Sequence, residues 1–171
     1  MGTAKSKGGK RGKGAAGTPA TVAATEAGIE FTLHAYEADP AAESYGEAVA
    51  DALGVPHDQL FKTLIAEVDG RLTVGVVPVS ATLDLKALAA AAGGKKARMA
   101  DPRDAERATG YVVGGISPLG QRRALPAVID ASVSTLPTVY VSAGRRGLQI
   151  ELRPADLIRL TGARVAAIAR R

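Results

Sequence analysis

The dipeptide Asp69-Gly70 separates two β-rich runs, residues 61–68 and 72–79. A two-residue hairpin turn needs positive φ at its central positions, and Asp-Gly is among the few pairs that accept it. An antiparallel pair is therefore written into the middle of the chain. Around it, helical and extended patterns alternate irregularly. Thr18-Pro19 reads as an N-cap followed by proline at the first helical position, with Gly28 as the stop. Residues 30–36 alternate as a strand, with Phe31, Leu33 and Ala35 on one face and Thr32, His34 and Tyr36 on the other. Ser44-Tyr45-Gly46-Glu47 fits a capping box ahead of a helix closed by Gly54. Thr82 is expected to cap an alanine-rich helix over residues 83–92. Asp101-Pro102 and Pro154 each open a further helix, and Tyr111-Val112-Val113 reads as a brief strand. Strands follow over residues 127–129, 138–142 and 148–152, and residues 164–168 form a last apolar run. The pattern argues for an α+β fold, a mixed sheet with peripheral helices, and against a doubly wound parallel sheet.

The chain of 171 residues carries 22 basic and 17 acidic residues. Lys5, Lys7, Lys10, Arg11 and Lys13 fall in the first 17 positions, where no acid occurs. Residues 18–171 thus hold 17 charges of each sign, and the whole basic surplus lies in the tail. Residues 1–17 read as a disordered Gly/Lys-rich tail, either a solvated extension or a weak phosphate-seeking arm. Residues 18–171 read as one domain. With no cysteine, there is no disulfide scaffold, thiolate metal site or cysteine nucleophile. His34 and His57 alone offer little for a histidine-built metal site, so no metal or cofactor is expected. No apolar run approaches the roughly 18–20 residues that span a bilayer, and no signal-peptide pattern opens the chain. A soluble cytoplasmic protein without membrane contact is expected.

Three features carry chemical potential. Period two places Lys62 on the strand face of Leu64, Ala66 and Val68. Such a lysine either lays its stem on apolar surface with the ammonium in water, or holds an ammonium at a pocket mouth against a phosphate or carbonyl. Second, residues 109–120 are rich in glycine and contain Gly114, Gly115, Ser117 and Pro118. This segment is either a structural turn or a nest of backbone donors. It lacks the Gly-Lys-Ser/Thr of a phosphate-binding P-loop and the spacing of a dinucleotide fingerprint. Third, Arg145 and Arg146 stand at a tight turn between two strands, and Arg122-Arg123 and Lys95-Lys96 are similar pairs. Each is a solvated turn or a contact to an RNA backbone. Neither histidine joins a credible Ser/His/Asp triad.

At these residues the sequence resembles the YbaK/EbsC family of freestanding Cys-tRNA(Pro) deacylases, relatives of the editing domain of bacterial prolyl-tRNA synthetases. The likeness runs through Thr18-Pro19-Ala20, Tyr36, Asp39-Pro40, Phe61-Lys62-Thr63-Leu64, Leu83-Asp84-Leu85-Lys86, Met99-Ala100-Asp101-Pro102 and Thr109-Gly110-Tyr111. Its most specific stretch is residues 113–121, followed by Tyr140-Val141-Ser142 and Arg146-Gly147-Leu148. The resemblance implies a barrel-like, twisted mixed sheet with surrounding helices. It implies release of mischarged cysteine from tRNA(Pro), and possible action on Cys-tRNA(Cys). Lys62 matches the family's essential lysine, and Gly114, Gly115, Ser117 and Pro118 match its glycine-proline loop. Tyr36, Thr63, Ser142 and Gln149 fall at pocket positions and are expected to bind substrate. Gln149 stands where the best-known members have an aspartate, and an amide can neither take a proton nor hold negative charge.

The resemblance also implies a mechanism that needs no nucleophile from the protein. The substrate's own thiol attacks its ester and leaves as a cyclic thiolactone, while the enzyme holds the two groups together. The expected partners are the 3′ end of mischarged tRNA(Pro), touched by Arg122, Arg123, Arg145 and Arg146, and prolyl-tRNA synthetase. Two other readings remain at this point: an editing deacylase for another residue such as alanine on tRNA(Pro), and a non-catalytic module that binds aminoacyl-tRNA or an amino acid.

Overall fold

The computed structural model describes residues 17–171. Apart from Gly17, the expected tail lies outside them. The chain runs α1 (Pro19–Glu26), β1 (Phe31–Ala35), α2 (Tyr45–Leu53), β2 (Phe61–Val68), β3 (Arg71–Pro78) and β4 (Thr82–Leu83). It continues through α3 (Leu85–Ala91), β5 (Ala97–Met99), α4 (Pro102–Thr109) and β6 (Ala127–Asp130). The last elements are β7 (Val139–Arg145), β8 (Leu148–Leu152), α5 (Pro154–Thr161), β9 (Arg164–Ala166) and β10 (Ala169–Arg170).

The hairpin forms as expected. Asp69 and Gly70 have φ of 50° and 83°, and β2 pairs with β3 from Phe61↔Pro78 to Val68↔Arg71. This pair is the centre of a five-stranded sheet in the order β5-β2-β3-β6-β9. β6 joins β3 in parallel and β9 joins β6 in parallel, so the sheet is mixed. A second sheet, β1-β8-β7, is antiparallel, and β10-β4 is a short third ladder. Among the described residues the strands do not close into the barrel-like sheet that the resemblance implied. A parallel bridge between Leu60 and Tyr140 joins the two larger sheets at the start of β2, backed by the Tyr140 amide donating to the Gln59 carbonyl at 3.0 Å.

Strand alternation sorts the apolar side chains into three clusters. Phe61, Ile65, Val74, Val76, Val141, Ile150 and Leu157 belong to the main core, together with α1 residues Ala20 and Ala24. Ala66, Val68, Val77, Leu88 and Ile168 form a second cluster on the opposite face of the larger sheet, under α3. Val49, Ala50, Leu60, Val79 and Tyr140 form a third, under α2. α2 lies close to the sheet because Gly46 has no side chain. A Cβ there would sit 2.6 Å from Val79 Cγ1.

Several local expectations hold. Thr18 caps α1 by accepting from the Thr21 amide, and its hydroxyl donates to the Ala143 carbonyl of β7 at 2.6 Å. Asp101 caps α4 ahead of Pro102. Others are corrected. Thr82 does not cap α3; Asp84 does, accepting from the Ala87 amide at 3.0 Å. Thr82 and Leu83 are drawn out as β4 by pairing with Arg170 and Ala169. Ser44 occupies the N-cap of α2 but makes no side-chain cap bond, so the capping box does not form. Residues 111–113 are not a strand, because their amides are taken locally: Tyr111 donates to Thr109 Oγ1 and Val113 to Glu106 Oε2. Among the described residues no helix is long and apolar enough to cross a membrane.

Candidate functional site

The Leu60–Tyr140 bridge aligns one row of side chains across both sheets. Lys62 lies two residues beyond Leu60, and Ser142 two beyond Tyr140. Ser142 pairs with Gln149, and Gln149 pairs with His34. Alternation puts these four on the face of Leu60 and Tyr140, away from the main core. Ser142, Gln149 and His34 therefore stand in register across β7, β8 and β1, and Lys62, two residues past the isolated bridge, falls on the same side, the one that α2 packs against. Thr63 falls on the opposite face, that of Phe61 and Ile65. Its hydroxyl is buried with no hydrogen-bond partner among the described residues.

Lys62 sits between Leu60 of the α2 cluster and Leu64 of the α3 cluster. Burial pushes its ammonium below the usual lysine range, and Glu47 on α2 pulls the other way. The Lys62 stem thus lies on apolar surface, and its ammonium is partly withdrawn from water.

Ser142 ties the row to the glycine loop. Its hydroxyl donates to the Gly115 carbonyl at 3.1 Å and accepts from the Gly144 amide at 3.1 Å. Gly115 is pressed onto the β7–β8 turn, where a Cβ would meet the Arg145 Cα at 2.9 Å. Gly114 has φ of 94°, and a Cβ there would meet Arg146 Nε at 2.3 Å. Only glycine fits both positions. The Gly115 amide is already committed to the Val112 carbonyl at 2.9 Å. Ser117 is fully buried, with its hydroxyl accepting from the Leu119 amide and its carbonyl accepting from Gln121. Pro118 is buried beside it, while the Gly114 peptide is exposed. Of the backbone donors expected at Gly114, Gly115 and Ser117, Gly114 is the one in the open with no acceptor among the described residues. The buried hydroxyl of Tyr111 closes the loop on the Leu119 carbonyl at 2.6 Å, and burial pushes its phenol up to about 12.

Arg146 is a strut of this loop. Its guanidinium donates to the Val113 carbonyl at 2.9 Å and lies 5.9 Å from the centre of the Tyr45 ring. The Tyr45 hydroxyl is 3.2 Å from that of Tyr36. Burial first, then the bond to Tyr36, pushes Tyr45 up to about 12. Tyr36, Tyr45, Arg146 and the glycine loop thus form one connected rim. Arg122 donates to the Arg107 carbonyl at 3.5 Å, and Arg123 and Arg145 are exposed. Lys95 and Lys96 differ from the arginine pairs. Their amides donate to the two carboxylate oxygens of Asp69, which makes their turn part of the hairpin's support.

At the far end of the row, His34 Nε2 lies 2.9 Å from Glu151 Oε1, and Thr138 donates to Glu151 Oε2 at 2.6 Å. Burial would raise the Glu151 carboxyl. The bonds from Thr138 and His34 outweigh it and hold the group below the usual carboxylate range. His34, Glu151, Tyr45 and Glu47 were not expected at a site. One signal for Tyr45 was present: the chain has only four tyrosines. Tyr36, Tyr45 and Tyr140 meet under α2, and Tyr111 closes the loop. No group of three or more His, Asp or Glu among the described residues could hold a metal ion.

The aminoacyl-tRNA editing domain family matches residues 39–160. A protein of Enterococcus faecalis assigned as a Cys-tRNA(Pro)/Cys-tRNA(Cys) deacylase, EbsC, is 41% identical over 125 residues, spanning 71% of this chain and 75% of that protein. The Escherichia coli protein named multifunctional Ser/Thr-tRNA deacylase ProXp-y is 27% identical over 141 residues, 80% of this chain and 82% of its own length. A crystal structure described as that of an assigned trans-editing enzyme for prolyl-tRNA synthetase superposes with a TM-score of 0.76 at 26% identity, covering 90% of this chain and 96% of that one.

Proposed function

This chain belongs to the aminoacyl-tRNA editing domain family, and from that premise we propose that it is a trans-acting deacylase that releases mischarged cysteine from tRNA(Pro). The observation that supports the reading is the shared face: Lys62 lies two residues past the Leu60–Tyr140 bridge on one strand and Ser142, whose hydroxyl holds the glycine loop, two past it on the other. One cation and one exposed backbone donor then border the same face.

In this mechanism Lys62 holds the terminal nucleotide and fixes the ester. The substrate thiol's sulfur attacks the carbonyl carbon, and the thiol proton passes to the departing ribose oxygen. The products are a cyclic thiolactone and tRNA with a free terminal hydroxyl. Holding two groups of one molecule in attack geometry lowers a barrier by roughly 7–11 kcal/mol. The Gly114 N–H is the donor offered to the developing oxyanion, an interaction worth about 3–4 kcal/mol in comparable sites. Gly115, Ser117 and Pro118 shape the loop that presents it. Tyr36 lines the rim, and Ser142 acts by positioning the loop. A prolyl ester has no thiol and survives. No cofactor enters this scheme. Prolyl-tRNA synthetase is the proposed partner and the cytoplasm the proposed place of action.

A second reading has one observation in its favour, the naming of the Escherichia coli relative for serine and threonine. An ester without a thiol needs water as nucleophile. A panel of Cys-, Ala-, Ser- and Thr-charged tRNAs separates the two. Cysteine is expected to be released fastest, with multiple turnovers, and Lys62→Ala is expected to abolish release. Preferred release of a thiol-free residue would overturn the thiol mechanism. Stoichiometric binding without turnover would make the protein a binding module.

A further inference from the structure

Gln149 lies at the centre of the row, 5% exposed, and its amide oxygen has no hydrogen-bond donor among the described residues. A buried acceptor without a partner is costly and calls for a cause. The donors nearest in register are committed elsewhere: Ser142 to the Gly115 carbonyl, His34 to Glu151, and Thr138 to Glu151. Lys62, at the other end of this face, has no hydrogen bond among the described residues, and the Gln149 oxygen is open to a donor brought in from outside the folded domain.

The charges around the row say what kind of donor. Lys62 is the cation at the β2 end. Glu151 follows Gln149 by two residues on β8 and shares its face, and its bonds to Thr138 and His34 keep it ionised. The face is therefore positive at one end and negative at the other. An aminoacyl ester on a terminal nucleotide has the opposite polarity along its length, with phosphate on one side and an α-ammonium group on the other. With the phosphate toward Lys62, the ammonium reaches the Gln149–Glu151 end.

We infer that the Gln149 amide oxygen accepts a hydrogen bond from the substrate's α-ammonium group, with Glu151 supplying the favourable field. This makes Gln149 a specificity-determining residue that reads the amino group rather than the side chain. The inference rests on the deacylase reading above. It also accounts for an amide at a position where an acid is not needed, since an ammonium requires an acceptor and a field, and the two are supplied by different residues.

The test pairs two esters with two proteins. Cys-tRNA(Pro) is compared with its desamino analogue, mercaptopropionyl-tRNA(Pro), which keeps the thiol and the route to a thiolactone. Wild-type kcat/KM is expected to fall at least about tenfold on losing the amine, as for loss of one charged hydrogen bond. Gln149→Leu is expected to treat both esters alike, at the wild-type desamino level. Because the substitution removes an unpartnered buried acceptor, it is also expected to raise the melting temperature. If the leucine variant fails to fold, Gln149→Glu keeps an acceptor and must keep the preference for the amine. Equal rates with wild type, a preference that survives in Gln149→Leu, or its loss in Gln149→Glu would each overturn this inference alone. Release of neither ester by wild type would overturn the deacylase reading and this inference with it.

Discussion

A lysine held between Leu60 and Leu64 gives up hydration that an exposed lysine keeps, and the downward shift of its pKa is the sign of that loss. Stability alone would favour an apolar side chain at this position. Lys62→Met is therefore expected to stabilise the fold by about 1 kcal/mol, or roughly 2–4 °C in Tm for a domain of this size. The same change is expected to lower Cys-tRNA(Pro) release at least a hundredfold. Thermal melts and single-turnover deacylation check the pair of effects. A variant that loses stability and activity together would make Lys62 structural. This residue was legible in the sequence because a charge on an apolar strand face violates period two. Gln149 was legible only as a departure from a family pattern. Its burial depends on β1, β8 and β7 pairing in one register, which no local window contains. Ser142 was expected to line a pocket, yet its hydroxyl is occupied by the loop, a role that shows only when both partners are placed.

Among the elements, the hairpin was readable because its turn chemistry is local and its alternation long. The start of α3 was not. Thr82 and Asp84 both cap helices well, and the choice between them was made by β10, which pairs with β4 from the far end of the chain. The capping box of α2 failed for a related reason: Glu47 faces Lys62 and His57 rather than turning back to the Ser44 amide. The seat of α2 depends on Gly46. A methyl group there overlaps Val79 Cγ1 at 2.6 Å, so Gly46→Ala is expected to destabilise by roughly 1–3 kcal/mol despite the better helix propensity of alanine. Val79→Ala opens the needed space, and the double variant is expected to recover part of the loss. Urea denaturation of the two single variants and the double variant gives the coupling. Strict additivity would show that α2 is not pinned at this point. Displacing α2 also moves Tyr45 off Arg146, so Gly46→Ala is expected to slow deacylation more than its stability cost explains.

At the scale of the whole molecule, Asp130 binds the end of the chain to its middle. One carboxylate oxygen accepts from the Ile168 and Ala169 amides at 2.9 Å each, and the other accepts from Ser132. Burial would raise this carboxyl, but the four bonds outweigh it and hold it below the usual range. A carboxyl whose folded pKa is depressed contributes stability that is complete above its unfolded value near 3.9. That contribution fades as pH falls through the folded value. Asp130→Asn is expected to cost about 2–3 kcal/mol at neutral pH, and the gap from wild type is expected to narrow below about pH 4. Denaturant titrations across that range check it, and a gap constant with pH would remove the charge from the account.

The same scale governs how a formally neutral domain meets a polyanion. Residues 18–171 carry 17 charges of each sign, so net attraction is not available and local placement must serve. Arg123 is exposed, Arg145 is exposed at the turn that presses on Gly115, and Arg122 lies against Gly110. Arg146 is partly spent on the Val113 carbonyl and the Tyr45 ring. Two kinds of arginine variant should therefore separate. Arg122→Ala and Arg123→Ala are expected to weaken tRNA binding and flatten the plot of log K against log salt, by roughly 0.7–0.9 for each phosphate that is no longer neutralised. Arg146→Ala is expected to leave that slope nearly unchanged and to reduce kcat, because it releases the loop rather than a phosphate. Removing residues 1–17 tests the tail on the same plot: a flatter slope assigns it phosphate contacts, and an unchanged slope excludes them. If Arg146→Ala flattens the slope as much as the other two, its place is on the nucleic acid and the strut is incidental.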